Sequence, residues 1–445
     1  MKKILVYLLV LCMLSSMLLF TSCAMVKNEA APEGGINGGY SPIAPGADAG
    51  ESMTGTPDFD VSADSDDPSP TPDKNVQDDE EKLPSGMITA GAHNDNTYYN
   101  DWLALFTQDE GRFGKFFSYP NPQYSWGYDS LSRVKVSVSA GETRVAGAEV
   151  TAFDSDGNKV FSAVTDAQGN AYLFPTVKEG SVTVTCGSES VTSAFSAQER
   201  ELTVELSGAG NKLNVIEIMF VVDVTGSMGD EIRFLKAELS DVVDRIAAND
   251  SETVIKLAML FYRDTDDAVP YEYYDFTDVT TQAGLFAQQE AINGQSANGG
   301  GDYPEAVDDA LDMAVNKQWS TGATTKIIFH VLDAPAHSND KNKVKLKNAV
   351  NIAAEKGIRL CPIICSGAAG VTEYTMREAA IYTGGTFIFV TDDSGIGGSH
   401  HDPDIPNATI ELLNSMMVRL VKGYHTGEFD EPVYWKQDPN LGAAK

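Results

Sequence analysis

Apolar and polar positions follow different rhythms in different stretches of this chain, and each rhythm predicts a different kind of structure. Between 131 and 207 the period is two. Val134, Val136 and Val138 alternate with Arg133, Lys135 and Ser137, the pattern of a strand with one buried face. Similar short runs recur at 148–153, 160–165, 171–174, 181–186 and 201–206. Turn signals such as Asp156-Gly157-Asn158 lie between them, so a small antiparallel β-sandwich is expected. From 211 to about 425 the rhythm changes. Residues 215–222 form a continuous apolar run, as in a parallel strand buried on both faces. Next come Met228, Ile232, Leu235, Leu239, Val242 and Ile246 at steps of three and four, one face of a helix. Further strands are predicted at 254–262, 326–332, 358–364 and 386–390, and helices at 304–316, 339–356, 372–382 and 407–422. Strands alternating with helices predict an α/β fold with a doubly wound, mostly parallel sheet of Rossmann-like type. The last twenty residues, 426–445, read as a tail.

The first 130 residues have neither rhythm. Lys2 and Lys3 precede an apolar stretch at 4–20, and Thr21-Ser22-Cys23 supplies small residues before a cysteine, so 1–22 reads as a signal peptide. Residues 23–85 are rich in Gly, Pro, Ser and Asp with hardly a large apolar side chain. Such a segment buries too little surface to offset its ordering entropy and is expected to be a disordered acidic tether. The stretch 86–130 differs again. It carries Trp102, Phe106, Phe113, Phe116, Phe117, Tyr119, Trp126 and Tyr128, too many aromatics to leave in water, and is expected to pack on the domain that follows. The 445-residue chain has a formal charge of −32, which argues against nucleic acid as a partner. Cys186, Cys361 and Cys365 are an odd set. The last two would stand about 13 Å apart in a strand, beyond disulfide reach, and read as buried thiols.

Chemistry on a doubly wound sheet belongs at the carboxyl ends of its strands. Three loops are expected there. Asp223-Val224-Thr225-Gly226-Ser227-Met228 follows the first strand and offers one carboxylate and two hydroxyls, hard donors suited to Mg²⁺ or Mn²⁺. The blander alternative is that Asp223 and Ser227 only satisfy backbone donors. Gly299-Gly300-Gly301-Asp302-Tyr303-Pro304-Glu305 reads as a capping box at Asp302 and Glu305. Its three glycines, however, suggest backbone brought close to a ligand or a neighbouring loop. Asp333-Ala334-Pro335 ends the strand predicted at 326–332.

Together these loops resemble the metal-ion-dependent adhesion site of von Willebrand factor type A (vWA) domains, in the version of integrin β subunits. Tyr262-Arg263-Asp264 and Asp392-Asp393-Ser394-Gly395-Ile396-Gly397 resemble bacterial vWA proteins. That resemblance implies a metal held by Asp223, Thr225, Ser227, Glu305 and Asp333, with one position left for a ligand oxygen. Asp302 is assigned either to a helix cap or to a second cation site, where Ca²⁺ is an alternative. Met228, Tyr303 and His337 are the candidates for ligand contact. The sandwich resembles a carboxypeptidase-regulatory-like or collagen-adhesin B-type domain. Leu19-Phe20-Thr21-Ser22-Cys23 resembles a bacterial lipobox, which implies lipidation of Cys23 and attachment to the outer face of a membrane.

No His-Glu-x-x-His, phosphate-binding loop or Gly-x-Ser-x-Gly elbow is present. His330 reads as a core histidine, and the His400-His401 pair as part of a solvated loop. The expected function is non-enzymatic: a cell-surface lipoprotein that binds an extracellular protein or other ligand through its metal. The alternatives are a metal-assisted surface hydrolase of phosphoesters or peptidoglycan, and a structural protein in which the metal only stabilises the fold.

Overall fold

The computed structural model describes residues 83–107, 112–113, 126–208, 213–248, 253–301, 303–322, 324–403, 405 and 407–442. The signal peptide, Cys23, Phe116, Phe117, Tyr119 and Asp302 lie outside the described residues, as does the tether except for its last three residues, of which Ser85 is buried. Among those described, no helix is long and apolar enough to cross a membrane.

Strand β1 (Thr89–His93) and helix α1 (Tyr99–Thr107) come first. The sandwich follows as β2 (Val134–Ala140), β3 (Thr143–Arg144), β4 (Glu149–Phe153), β5 (Lys159–Val164), β6 (Asn170–Leu173), β7 (Gly180–Cys186), β8 (Glu189–Phe195) and β9 (Glu201–Glu205). Its period-two pattern does what the pleat requires, with Val134, Val136 and Val138 buried between more exposed neighbours. One sheet has the order β3-β2-β6 with β9 beside β2, and the other β5-β4-β7-β8. The expected antiparallel pairing has one exception, because β2 and β9 run parallel.

The larger body contains β10 (Val215–Asp223), α2 (Gly229–Ala248), β11 (Val254–Tyr262), β12 (Tyr271–Asp278), α3 (Gln282–Asn293), α4 (Val307–Val315), β13 (Thr325–Leu332), α5 (Asp340–Lys356), β14 (Ile358–Ile364), α6 (Gly370–Thr383), β15 (Phe387–Val390), β16 (Glu411–Leu412) and α7 (Leu413–Thr426). Its sheet has the order β12-β11-β10-β13-β14-β15-β1-β16. The five central strands are parallel, whereas β12, β1 and β16 are antiparallel to their neighbours. From β10 the chain first crosses to β11 and later returns to β13 on the other side, so the strand order reverses between β10 and β13. That reversal opens a crevice at their carboxyl ends.

The described parts of the segment 86–130 serve both bodies. β1 becomes a strand of the large sheet, and Glu238 of α2 accepts the backbone N–H groups of Gly86, Met87 and Ile88. Trp102 and Phe113 are fully buried, with Phe113 at 5.3 Å from Tyr374 of α6. Trp102 Nε1 donates to Ser130 Oγ, which donates to the buried Glu378 of α6. On the sandwich side, Phe174 stacks on Tyr382 of α6 at 4.4 Å. A single hydrophobic core therefore runs from the sandwich into one face of the large sheet.

Candidate metal centre

β10 is buried along nearly its whole length, which fixes where its last residue emerges. Asp223 stands there in register with Tyr262 of β11, and Asp333 follows Leu332 at the end of β13. Because β10 and β13 are neighbours with Val222 opposite Val331, the two carboxylates leave adjacent strands one residue out of register. Beyond Asp223 the chain makes a short 3-10 turn, Gly226–Met228, before α2 begins. Asp223 Oδ1 accepts the Thr225 N–H at 2.9 Å and the Thr225 hydroxyl at 2.7 Å. Thr225 Oγ1 lies 3.0 Å from Ser227 Oγ. Ser227 in turn donates to the Asp333 carboxylate.

Glycine brings the third loop in. The Gly226 N–H donates to the Gly299 carbonyl, and the Asn298 N–H to the Val224 carbonyl. Gly299 and Gly300 both have positive φ, +76° and +79°, a conformation that costs an L side chain energy. A Cβ at Gly300 would stand 2.9 Å from Glu305 Oε1 and 3.3 Å from Thr225 Cβ. Gly300 is thus the gap through which Glu305 and Thr225 face each other. The Glu305 N–H donates to the Pro335 carbonyl, tying this loop to the one after β13. The three loops expected to meet do meet.

Their electrostatics are unfavourable as they stand. Asp223, Asp333 and Glu305 are all nearly inaccessible to water. Each keeps one oxygen without a hydrogen-bond partner: Asp223 Oδ2, Asp333 Oδ1 and Glu305 Oε2. Burial pushes the Glu305 carboxyl up to about 9, helped by Asp223, Asp264 and Asp333. Burial also raises Asp223, with Asp333 adding to it, and raises Asp333. Uncompensated buried carboxylates are costly, and a cation among them removes the cost. Among the described residues no cluster of three or more His, Cys, Asp or Glu side chains is built to hold a metal by itself. The donor set here is mixed, with the Thr225 and Ser227 hydroxyls between the carboxylates, which suits a hard cation.

Other expectations fare differently. Met228 is fully buried in the core, so it is not available for ligand contact; its place on the apolar face of α2 decides its environment. Tyr303 is substantially exposed beside the site, with its hydroxyl accepting the Ala369 N–H. His337 is half-buried, and its Nε2 lies 3.1 Å from Asp264 Oδ1. α4 begins at Val307 with Ala306 at its N-cap and no side-chain cap, two residues beyond Glu305; Asp302, the other half of the expected capping box, lies outside the described residues. Glu305 instead bridges to Ala336 as a short piece of parallel ladder. His330 is the expected core histidine, 3.1 Å from the Tyr262 hydroxyl, and burial lowers it to about 3. The pair at 400 and 401 is not a solvated loop. The His400 side chain is nearly inaccessible, 2.7 Å from Asp392 and 3.5 Å from Glu231, and His401 lies 2.8 Å from Glu373.

Sequence reasoning assigned no role to Asp267 or Glu231. Asp267 Oδ2 accepts the Gly300 N–H at 2.9 Å and the Asp264 N–H at 3.1 Å, so it holds the glycine loop in place. Glu231 is fully buried, accepts the Ser366 N–H, and adds to the field that raises Asp333. The acidic run Asp264-Thr265-Asp266-Asp267 at the carboxyl end of β11 was the available signal for the first.

Residues 217–390 match the von Willebrand factor A domain family. Two curated proteins are similar over part of their length. One is an alpha-protein kinase of Dictyostelium discoideum, 26% identical over 153 residues, 32% of this chain and 24% of that protein. The other is an ariadne-like RING finger protein of Acanthamoeba polyphaga mimivirus, 27% identical over 219 residues, 46% of this chain and 20% of that protein. The chain thus spans about a quarter or less of the length of these relatives. Among solved structures, protein BatB from Bacteroides thetaiotaomicron aligns with a TM-score of 0.30 at 16% identity, covering 39% of this chain and 90% of that one. The residues that match this family run from β10 to β15 and so take in the five parallel strands and the loops described above.

Proposed function

We propose that this protein binds an extracellular ligand, a protein in the first instance, through a divalent cation, and that it is not an enzyme. Asp223, Thr225, Ser227, Glu305 and Asp333 would hold Mg²⁺ or Mn²⁺. The cation would supply a coordination position for an oxygen of the partner. The observation that carries this reading is the set of three buried carboxylate oxygens without partners, one on each of three loops that meet. The exposed Ser227 and Gly226 leave that set next to solvent, where a partner would reach it. The apolar stretch and Cys23 at the start of the chain support a lipid-anchored protein on the outer face of a membrane.

The test is capture of partners from a cell-surface extract on the immobilised protein, run in Mg²⁺ and again in chelator. The reading expects at least one protein retained only with Mg²⁺ and lost with Ser227→Ala. Retention that ignores both the chelator and the variant would overturn it. Turnover of a phosphoester or of peptidoglycan would favour a hydrolase instead. Chelation that lowers the melting temperature without changing any association would favour a purely structural metal.

A further inference from the structure

The amino-terminal ends of the same strands carry a second, opposite concentration of charge. We propose that the cleft there, between the sandwich and the large sheet, binds an oxyanion of the phosphate or sulfate class. The cleft has a volume of about 260 Å³, and Lys317, Lys326, Lys356 and Arg359 line it together with Trp319 and, from the sandwich, Asp166. That volume lies just under the usual range of small-ligand pockets, large enough for an oxyanion and a small group attached to it.

Among the described residues none of the four cations forms an ion pair, although Asp166 acts on Arg359 and Glu217 on Lys326 through space. Lys326 and Arg359 are each only 8% exposed. Lys326 Nζ donates to the Lys356 carbonyl and Lys356 Nζ to the Val315 carbonyl. Arg359 donates to the carbonyls of Thr383 and Val164, and Lys317 lies over the Tyr273 ring. Among the described residues, the ion pairs are made by other cations. Carbonyl oxygens orient these groups without neutralising them. Burial lowers Lys326, and Lys356 and Arg359 repel its charge further, although Glu217 opposes both effects.

The nearby carboxylates are largely engaged. Glu217 accepts from Lys256 and from the Ser320 N–H. Glu355 is paired with Lys159 across the domain junction. Asp166 Oδ1 holds the Gln168 and Asn170 N–H groups of its own turn. Glu149, exposed on the rim, is the remaining acid of the lining. In a chain with a net charge of −32, four cations outnumber the three acids of this lining, Glu149, Asp166 and Glu355, and two of the cations, Lys326 and Arg359, are buried, where incomplete compensation is costly. A group with several charged oxygens can meet several of these donors at once, where a carboxylate offers two oxygens. The small volume and the charge of the whole chain both work against a nucleic acid.

The site stands roughly 23 Å from the metal centre, counting seven residues of β13 from Lys326 to Asp333 at ~3.3 Å each. It can therefore be tested with the metal centre switched off. The experiment is isothermal titration of the full chain with sodium sulfate, sodium phosphate and glucose 6-phosphate. Ionic strength is held constant with chloride, and chelator is present throughout. Saturable binding of one equivalent is expected, unchanged when Mg²⁺ replaces the chelator. The double variant Lys317→Gln, Lys356→Gln should lose tenfold or more in affinity while its circular dichroism and anion-free melting temperature stay those of the parent. Tighter binding of glucose 6-phosphate than of phosphate would identify an ester as the ligand, and the reverse order a free ion; either supports the site. Heats no larger than those of chloride, or a folded double variant that binds as the parent does, would overturn it. Failure of Mg²⁺ to bind elsewhere would leave this result untouched.

Discussion

Strand β13 begins at Thr325-Lys326 and ends at Leu332 with Asp333 beyond it, and its two ends are built to opposite rules. At the carboxyl end, acids converge, hydroxyls lie among them, and oxygens are left without partners. At the amino end, cations converge on a cleft and donate only to neutral carbonyls. Both ends bury charge that the described residues compensate only in part. The difference lies in how the charge is held. The acids sit on three loops linked by backbone hydrogen bonds, with Gly299 and Gly300 allowing close approach. The cations sit at strand and helix ends and on one domain junction. The first arrangement is tied together by backbone hydrogen bonds; the second is broader and faces a cavity.

The largest expected effect breaks the acidic end alone. Asp223→Asn keeps the shape but removes a carboxylate and one of the proposed metal ligands. Mg²⁺ affinity should fall by roughly a hundredfold or more in calorimetric titration, since even indirect support of a ligand is worth 10–100-fold. The metal-free variant should nevertheless melt higher than the metal-free parent, because an amide escapes the cost that burial, and then Asp333, impose on a carboxyl at this place. Oxyanion binding at the other end should not change. A variant that melts lower without metal would mean that Asp223 is stabilising by its own hydrogen bonds to Thr225.

Gly300→Ala should come next. A Cβ there meets Glu305 Oε1 at 2.9 Å and must tolerate a φ of +79°. The backbone term alone costs about 1–2 kcal/mol. Displacement of Glu305 should add a loss of about tenfold in Mg²⁺ affinity, comparable to removing indirect support of a ligand. An alanine variant with parental Mg²⁺ affinity would show that Glu305 does not need this gap.

A pH series separates the ends more gently. Glu305 has its folded-state value pushed up to about 9, against about 4.3 in an unfolded chain. Between those values the folded, metal-free protein holds more protons than the unfolded one. Its contribution to stability is therefore complete below about pH 4 and is lost as pH rises toward 9. In chelator, the melting temperature should fall steadily from pH 6 to pH 9. In excess Mg²⁺ the fall should shrink or vanish, because the cation takes the place of the proton. Identical slopes with and without Mg²⁺ would detach these carboxyls from any metal.

Much of the acidic end was legible in the sequence because its causes are local. A continuous apolar run marked β10, steps of three and four marked α2, and the donors of the first loop lie within five residues. The three glycines signalled close approach, and close approach is what they allow. What was missed depends on contacts between distant segments. β12 is an edge strand whose YEYYDFTD sequence is half-exposed throughout, so no clear period shows. β1 becomes a strand only by pairing with β15 and β16, some three hundred residues away. Met228 satisfied two readings at once, core face and site rim, and burial decided between them. The basic cleft was invisible for the same reason. Lys317, Lys326, Lys356 and Arg359 come from separate elements, and each looks like an ordinary surface charge until the sandwich closes over them.

The smallest effect sharpens the basic end. Lys159 and Glu355 pair at 2.7 Å across the domain junction, with both side chains about half exposed. Solvent screens such a pair, and its loss should cost no more than about 0.5 kcal/mol. Glu355→Gln should therefore leave the melting temperature almost unchanged. It also removes a negative charge from the lining of the cleft and frees Lys159 beside it. Sulfate and phosphate should then bind a few-fold more tightly, and the gain should shrink as salt is added because the charge acts through solvent. Lys159→Gln provides the control, since it breaks the same pair yet leaves Glu355 facing the cleft unneutralised. It should match Glu355→Gln in stability and oppose it in affinity. Equal affinities in the two variants would mean that the cleft does not respond to charge at its rim, and that its cations serve only to hold the two domains together.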